Sequence, residues 1–193
     1  NGSYLQRVPL RKARLVQDSA KFTLHTDGNN TELAYPKAFF TGPSLQFAST
    51  EVTAPLVFAG YGLVSKEFGI DDYANLDVKG KIVVVLRGAP ESFANTVSSY
   101  SMDVQTILKN AAAHGAVGVI IGNTNPKANI PNLRNGINNV MHANGEVAFS
   151  RNYHEDIKLL AAINHELTDK LLSSAGLNLT ETAASLKNGK PAS

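Results

Sequence analysis

Lys81-Ile82-Val83-Val84-Val85-Leu86 is a continuous apolar run rich in β-branched residues, and Ala116-Val117-Gly118-Val119-Ile120-Ile121-Gly122 repeats the pattern further along the chain. Runs without polar alternation suit strands covered on both faces, as in a parallel sheet. Between them, Val104, Ile107, Leu108, Ala111 and Ala112 recur at i, i+3, i+4, i+7 and i+8, which makes one apolar stripe on a helix. Ser101 or Asp103 can cap that helix, and Gly115 is placed to end it. Strand, helix and strand in this order predict a right-handed crossover between parallel neighbours. The small residues Ala111, Ala112, Ala113 and Gly118 let the helix approach the sheet closely.

Working outward, Pro55-Leu56-Val57-Phe58-Ala59 reads as a short strand ended by Gly60-Tyr61-Gly62. A polar loop through Asp71-Asp72-Tyr73 follows, and Asp77-Val78-Lys79-Gly80 reads as a turn. On the N-terminal side, Tyr4–Leu10, Ala20–Leu24 and Leu45–Phe47 carry strand-type alternation. They are broken by Asp27-Gly28-Asn29-Asn30, whose Asp-Gly step fits a hairpin turn, and by Thr41-Gly42-Pro43. On the C-terminal side, residues 123–144 are rich in Asn, Pro and Gly and read as an exposed loop. Glu146–Phe149 and Leu159–Ile163 read as strands. A second helix is expected after Asn164 as N-cap, packing Leu167, Leu171 and Leu172 and stopping at Gly176. The polar tail ending in Gly189-Lys190-Pro191 looks like a linker, and no internal repeat is present.

The chain has 193 residues, 43% of them hydrophobic, enough for one core in a single domain. No apolar run approaches the roughly 18 residues of a membrane helix. No signal peptide is visible, so the sequence reads as starting inside a mature protein or a domain. The net charge is +2 and the basic residues are interspersed with acidic ones. The densest basic cluster, Arg7 to Arg14, reads as a solvated strand face rather than a nucleic-acid track. There are no cysteines, which excludes disulfides, thiol catalysis and cysteine-based zinc knots. Three Asn-x-Ser/Thr sequons begin at Asn1, Asn29 and Asn178, a pattern that also arises by chance.

His165-Glu166-Leu167-Thr168-Asp169 nearly spells the zinc-protease motif, in which two histidines at i and i+4 share a helix face and a glutamate activates water. Here the second ligand position is Asp169, and acidic residues at a helix start are explained by the dipole. His25-Thr26-Asp27 and His154-Glu155-Asp156 have a His-x-Asp spacing but no accompanying ligand set, so surface-loop residues are the reading. His114 ends the alanine-rich helix, and His142 sits alone in a loop. Gly60-Tyr61-Gly62 lacks the third glycine of a dinucleotide fingerprint, since position 65 is Ser65, and no helical pattern follows it. Neither a Gly-x-Ser-x-Gly elbow nor a phosphate loop occurs. The sequence holds no complete catalytic set.

Residues 55–62, the stretch Asp71-Asp72-Tyr73-Ala74-Asn75-Leu76-Asp77-Val78-Lys79-Gly80-Lys81-Ile82-Val83-Val84-Val85-Leu86-Arg87-Gly88, and the segment Ala111-Ala112-Ala113-His114-Gly115-Ala116-Val117-Gly118-Val119-Ile120 together resemble the core of protease-associated (PA) domains, over roughly residues 52–125. The flanks Gly2–Leu10 and Leu171–Gly176 with Gly189-Lys190-Pro191 are similar to the edges of the insert found in two-zinc aminopeptidases and glutamate carboxypeptidase relatives. The resemblance implies an α/β, swivelling β/β/α fold, with two β-sheets and a helical layer, spanning residues 1–193. It implies a non-catalytic accessory domain of a secreted or periplasmic zinc-dependent exopeptidase, one that restricts access to the active site and contributes substrate contacts. No cofactor is expected in this chain. Two zinc ions are implied in the parent's peptidase domain, whose ligands include a His-x-Asp and an adjacent Glu-Glu pair, and Glu-Glu is absent here. The expected partners are that peptidase domain and a peptide or protein substrate, with no nucleic acid, in an extracellular or periplasmic setting. Tyr61, Asp71, Asp72, Tyr73 and Arg87, within loops including Arg87–Phe93, are the candidate substrate contacts, because α/β ligands bind at strand ends. The alternatives are a stand-alone protein- or peptide-binding module, as in sorting receptors, and the PA domain of a subtilisin-like protease.

Overall fold

A computed structural model describes residue 4 and residues 7–26, 28–130 and 136–190. The elements in chain order are β1 (Leu10–Arg14), β2 (Thr23–Thr26), β3 (Asn29–Glu32), β4 (Phe39–Thr41), β5 (Leu56–Phe58), β6 (Val64–Ser65), β7 (Ile70–Asp71), β8 (Ile82–Leu86), α1 (Asn95–Ser101), α2 (Val104–Ala113), β9 (Gly118–Gly122), β10 (Gly136–Met141), β11 (Val147–Phe149), β12 (Leu159–Ile163), α3 (His165–Ser174) and α4 (Leu179–Lys187).

The main sheet has the order β4-β12-β9-β8-β5. β5, β8, β9 and β12 run parallel, and β4 closes one edge antiparallel. Every residue of β8 and β9 is buried, as their unbroken apolar runs require. Strand alternation sends Val83, Val85, Val119 and Ile121 to one face, where Ile107, Leu108 and Ala111 of α2 cover them. Ile82, Val84 and Ile120 point the other way, against Leu167 and Leu171 of α3 and against Leu24 and Phe39. A third apolar cluster, with Leu86, Leu172, Leu179 and Leu186, fastens α3 and α4 to the carboxyl end of the sheet. The smaller sheet, in the order β1-β10-β11, is antiparallel. With the two-stranded sheets β2-β3 and β6-β7, these sheets and the four helices make the expected mixed α/β fold in one domain.

Local sequence sets the helix ends. The Asn164 side chain accepts from the N–H of Leu167 at 2.8 Å, and the Asn178 side chain from that of Glu181 at 3.0 Å. The helices α2, α3 and α4 each stop at a glycine with positive φ: Gly115, Gly176 and Gly189. Each forms the paired 6→1 and 5→2 bonds of a Schellman cap, as in Ala116 N–H to Ala111 O at 3.1 Å and Gly115 N–H to Ala112 O at 2.8 Å. Asp103 occupies the N-cap position of α2 without a side-chain bond. The hairpin β2–β3 pairs Thr26 with Asn29, and Gly28 has φ +82°, as its turn reading required, while its partner Asp27 lies outside the described residues.

Several expectations need correction. Leu45–Phe47 is not a strand, because the Ser44 hydroxyl accepts from the N–H groups of Gln46 and Phe47 and folds the segment into a turn. The first strand lies at Leu10–Arg14 rather than Tyr4–Leu10, whose Leu5 and Gln6 fall outside the described residues. The segment read as a loop over 123–144 contains β10, an Asn-rich strand that exists through pairing with β1. The polar tail contains α4, which buries Leu179, Thr182 and Leu186; Pro191 of the exit segment lies outside the described residues. Strand β4, helix α1 and the short β6–β7 hairpin carry too few apolar positions to be read from periodicity.

Gly122, the last residue of β9, packs under α3. A Cβ there would meet Thr168 Cγ2 at 2.8 Å and Oγ1 at 3.1 Å, and Thr168 is fully buried. Thr168 is itself held, since its hydroxyl donates to Asn164 O at 2.7 Å and accepts from the N–H of Asn123 at 3.0 Å. We expect Gly122→Ala to destabilise the fold by about 1–3 kcal/mol in urea unfolding, as overpacking does. A smaller cost in a Thr168→Ser background, which removes the clashing methyl, checks the cause.

Candidate functional site

The carboxyl edge of the parallel strands is where an open α/β sheet leaves room for a ligand. β5 exits into Gly60-Tyr61-Gly62, β8 into Arg87-Gly88 and β9 into Asn123. The chain bends sharply after β5: Gly60 has φ +51° and Gly62 φ +71°, conformations that cost a glycine little. Gly62 N–H bonds Ala59 O at 2.7 Å, and Leu86 N–H reaches Gly60 O at 2.8 Å.

The turn is held from outside by one carboxylate. Asp72 Oδ2 accepts from the N–H groups of Tyr61 and Leu63, both at 2.9 Å, and the Asp72 N–H donates to Leu63 O at 2.8 Å. The approach is close enough that a Cβ on Gly60 would lie 3.0 Å from Asp72 Cγ and Oδ2. Burial pushes the Asp72 carboxyl above its ordinary value and Asp71 adds to the rise, while the N–H groups of Leu63, Tyr61 and Gly62 pull it down. From the far side, the side chain of Asn110 on α2 donates to Gly62 O at 2.9 Å.

The two tyrosines are part of this scaffold. Tyr73 is buried and stacks on the His114 ring, with centroids 4.3 Å apart and planes at 9°. Its hydroxyl has no hydrogen-bond partner among the described residues, and burial, then Asp72 and Asp71, push its pKa well up. Tyr61 is buried beneath Gly88, where a Cβ would meet its ring at 2.5 Å. Burial raises the Tyr61 pKa, and the charges of Asp72 and Glu91 add to this. Gly88 is thus required by the approach of the ring rather than by its own φ.

The five candidate contacts therefore divide. The buried Tyr61 and Tyr73 and the half-buried Asp72 come together as a brace, whereas Asp71 and Arg87 are exposed at the edge. Asp71 also makes a local turn, its Oδ1 accepting from the N–H of Tyr73 at 3.0 Å. The loop Arg87–Phe93 is tied down by Glu91 N–H to Lys187 O at 2.8 Å and by the Lys187–Glu91 ion pair at 2.6 Å. Phe93 is buried against Phe68, which is partly exposed on the β6–β7 hairpin, with ring centroids 4.4 Å apart. Sequence reasoning missed Asn110 and Lys187, since both act on the edge from remote helices and no local pattern marks them.

The histidine motifs stay separate. His154 Nδ1 lies 3.7 Å from Asp156 Oδ2 and accepts from the Asp156 N–H within a local turn. His25 bonds Asn30 across the hairpin, and Asp27 lies outside the described residues. His165 opens α3, with Glu166 and Asp169 exposed. Among the described residues, no group of three or more His, Asp or Glu side chains is placed to hold a metal ion. A cleft of about 980 Å³ lies elsewhere, between the N-terminal segment, residues 41–56 and β12, and none of the five candidates lines it. The carboxyl edge offers fixed charges and backbone groups suited to recognition.

Asp72 gives this edge a pH signature. A carboxyl held above its ordinary value of 3.8 binds its proton more tightly in the folded state. Stability therefore falls as pH rises from that value through the folded pKa. Asp72→Asn keeps an oxygen for the turn and should flatten this acid-side slope in unfolding curves taken across pH. Asp72→Ala leaves two backbone donors unpaired and should destabilise by about 2–4 kcal/mol at neutral pH.

Among solved structures, the chain is similar to an aminopeptidase from Aneurinibacillus sp. strain AM-1, with TM-score 0.43 and 20% identity over 88% of this chain and 31% of that one. It is also similar to BSAP, a zinc aminopeptidase from Bacillus subtilis, with TM-score 0.43 and 22% identity over 86% of this chain and 30% of that one. The chain thus spans just under a third of the length of those proteins. No curated protein matches it. The PA domain matches residues 52–162, from β5 through most of β12 and including the braced turn and the crossover helix, and this chain belongs to the PA-domain family.

Proposed function

We propose that this chain is the non-catalytic accessory domain of a secreted or periplasmic zinc-dependent exopeptidase, acting on peptides together with the parent's own peptidase domain. The observation that carries the reading is the PA-domain match over residues 52–162. The similarity of residues 2–10, 171–176 and 189–191 to the edges of the insert in two-zinc aminopeptidases and glutamate carboxypeptidase relatives supports the exopeptidase class. The two zinc ions belong to the peptidase domain. This chain would restrict access to the active-site cleft, so that chain ends and short peptides are favoured over folded substrates.

In this reading Asp71 and Arg87 are the groups that reach substrate or the rim of the cleft, since both are exposed at the carboxyl edge. Tyr61, Asp72 and Tyr73 act one step back, by holding the Gly60–Gly62 turn and the floor under Gly88. The short exit of a fully buried strand fixes the backbone that carries the Arg87 cation. That suits it to pair with a substrate carboxylate or a backbone carbonyl.

The test uses the full-length parent protein. We expect stoichiometric zinc that does not depend on any residue of this chain, and Arg87→Ala is expected to raise KM about tenfold with kcat little changed, the pattern of a lost binding contact. Unchanged kinetics and unchanged preference for peptide length would remove Arg87 from the role. A parent reading frame without a His-x-Asp and Glu-Glu peptidase domain would overturn the exopeptidase reading in favour of a stand-alone binding module.

A further inference from the structure

The small sheet β1-β10-β11 leaves an apolar row open to solvent. An antiparallel sheet with one face on the protein body ordinarily turns apolar residues inward and polar residues to water. Here the inward face is mixed: Asn139 is fully buried and donates to Arg11 O at 3.3 Å, Met141 is buried beside it, and Arg11, itself exposed, donates from Nη1 to Leu45 O at 3.2 Å. The outward face carries further apolar residues. The register places Leu10 opposite Val140 and Val140 opposite Phe149, so the three side chains form one row across all three strands. Leu10 is 61% exposed and Phe149 51%, and Val8, two residues before Leu10, is 51% exposed.

The charge around this row has one sign. Arg7, Arg11, Lys12 and Arg14 all precede the first acidic residue of the chain, Asp18. Lys12 and Arg14 share the outward face with Leu10 by strand alternation, and Arg7, Lys12 and Arg14 are exposed. The only carboxylate in the β10–β11 hairpin, Glu146, is engaged by the Asn144 side chain at 2.8 Å in the turn. An apolar row with a mainly cationic margin, Glu146 at the hairpin turn being its one carboxylate, is the complement of a protein surface with an apolar centre and an acidic rim.

We propose that the outward face of β1-β10-β11, centred on Leu10, Val140 and Phe149 and flanked by Lys12 and Arg14, is the docking surface for an acidic-rimmed patch of the parent's peptidase domain. The proposal rests on the reading of this chain as a peptidase accessory domain. It assigns the basic cluster a protein partner in place of a solvated face. It also separates two roles within the domain: the small sheet anchors, and the carboxyl edge of the large sheet faces substrate.

The test is site-specific photocross-linking in the full-length parent protein. A photoreactive residue is placed at position 149, and at position 100 as a control, since Tyr100 is equally open to solvent but lies on α1. Position 149 should cross-link within the same polypeptide to a peptide of the peptidase domain rich in Asp and Glu, and position 100 should not. Lys12→Glu combined with Arg14→Glu should lower that yield about fivefold at low salt, the effect expected for a few exposed charge pairs, and high salt should narrow the difference. Unchanged thermal unfolding of the photoreactive variants, whose positions are both exposed, shows that folding is retained. Cross-linking from 149 to a second copy alone, or to nothing, in a parent that contains a peptidase domain overturns the docking face and leaves the accessory role standing. A parent without a peptidase domain overturns both together.

Discussion

The burial of β8 on both faces is the constraint on which the remaining structure depends. Ile82, Val83, Val84, Val85 and Leu86 are at most 5% exposed, so each face of the strand must be covered by a separate element. A strand of this kind cannot sit at a sheet edge, and parallel neighbours on either side follow from it. The crossover helix α2 covers Val83 and Val85, while α3 covers Ile82 and Val84. With the strands parallel, all their exits lie on one side, and a recognition edge results from topology before any particular side chain is considered.

At that edge the protein uses its charged and aromatic residues largely to fix backbone. Two glycines bend the chain after β5, and the freed N–H groups would be unsatisfied without Asp72. The carboxylate carries the desolvation cost of that task, which appears as its raised pKa. Tyr61 and Tyr73 then fill the space on either side, one under Gly88 and one against His114. Such bracing leaves Asp71 and Arg87 displayed on a rigid frame, which is what a recognition surface requires and what a loop alone does not provide.

The two sheets differ in how completely their apolar surface is covered, and the difference has functional content. The large sheet is apolar on both faces because both are covered within the chain. The small sheet buries Asn139 and Met141 on its inner side and leaves Leu10 and Phe149 outside, so part of its apolar surface is not covered within the chain. This asymmetry sets a substrate-facing edge apart from a domain-facing sheet within one module.

The sequence by itself determined the parallel core. Strands β5, β8, β9 and β12, helices α2 and α3, the Asn164 cap, the glycine stops at Gly115 and Gly176 and the Asp27-Gly28 hairpin were all legible, because apolar period and terminal residues are local signals. Tertiary structure alone decided β10, an Asn-rich segment that becomes a strand through its ladder with β1, and α4, whose few apolar residues gain meaning only against Leu86 and Leu172. The candidate site was legible only in part. Its five residues were located by their position at strand ends, but which of them brace and which face solvent depends on bonds across 9 to 48 residues, from Asp72 to Leu63 and from Asn110 to Gly62. Periodicity reports which face a residue occupies, whereas the partner that satisfies a buried polar group is chosen by packing between elements distant in sequence.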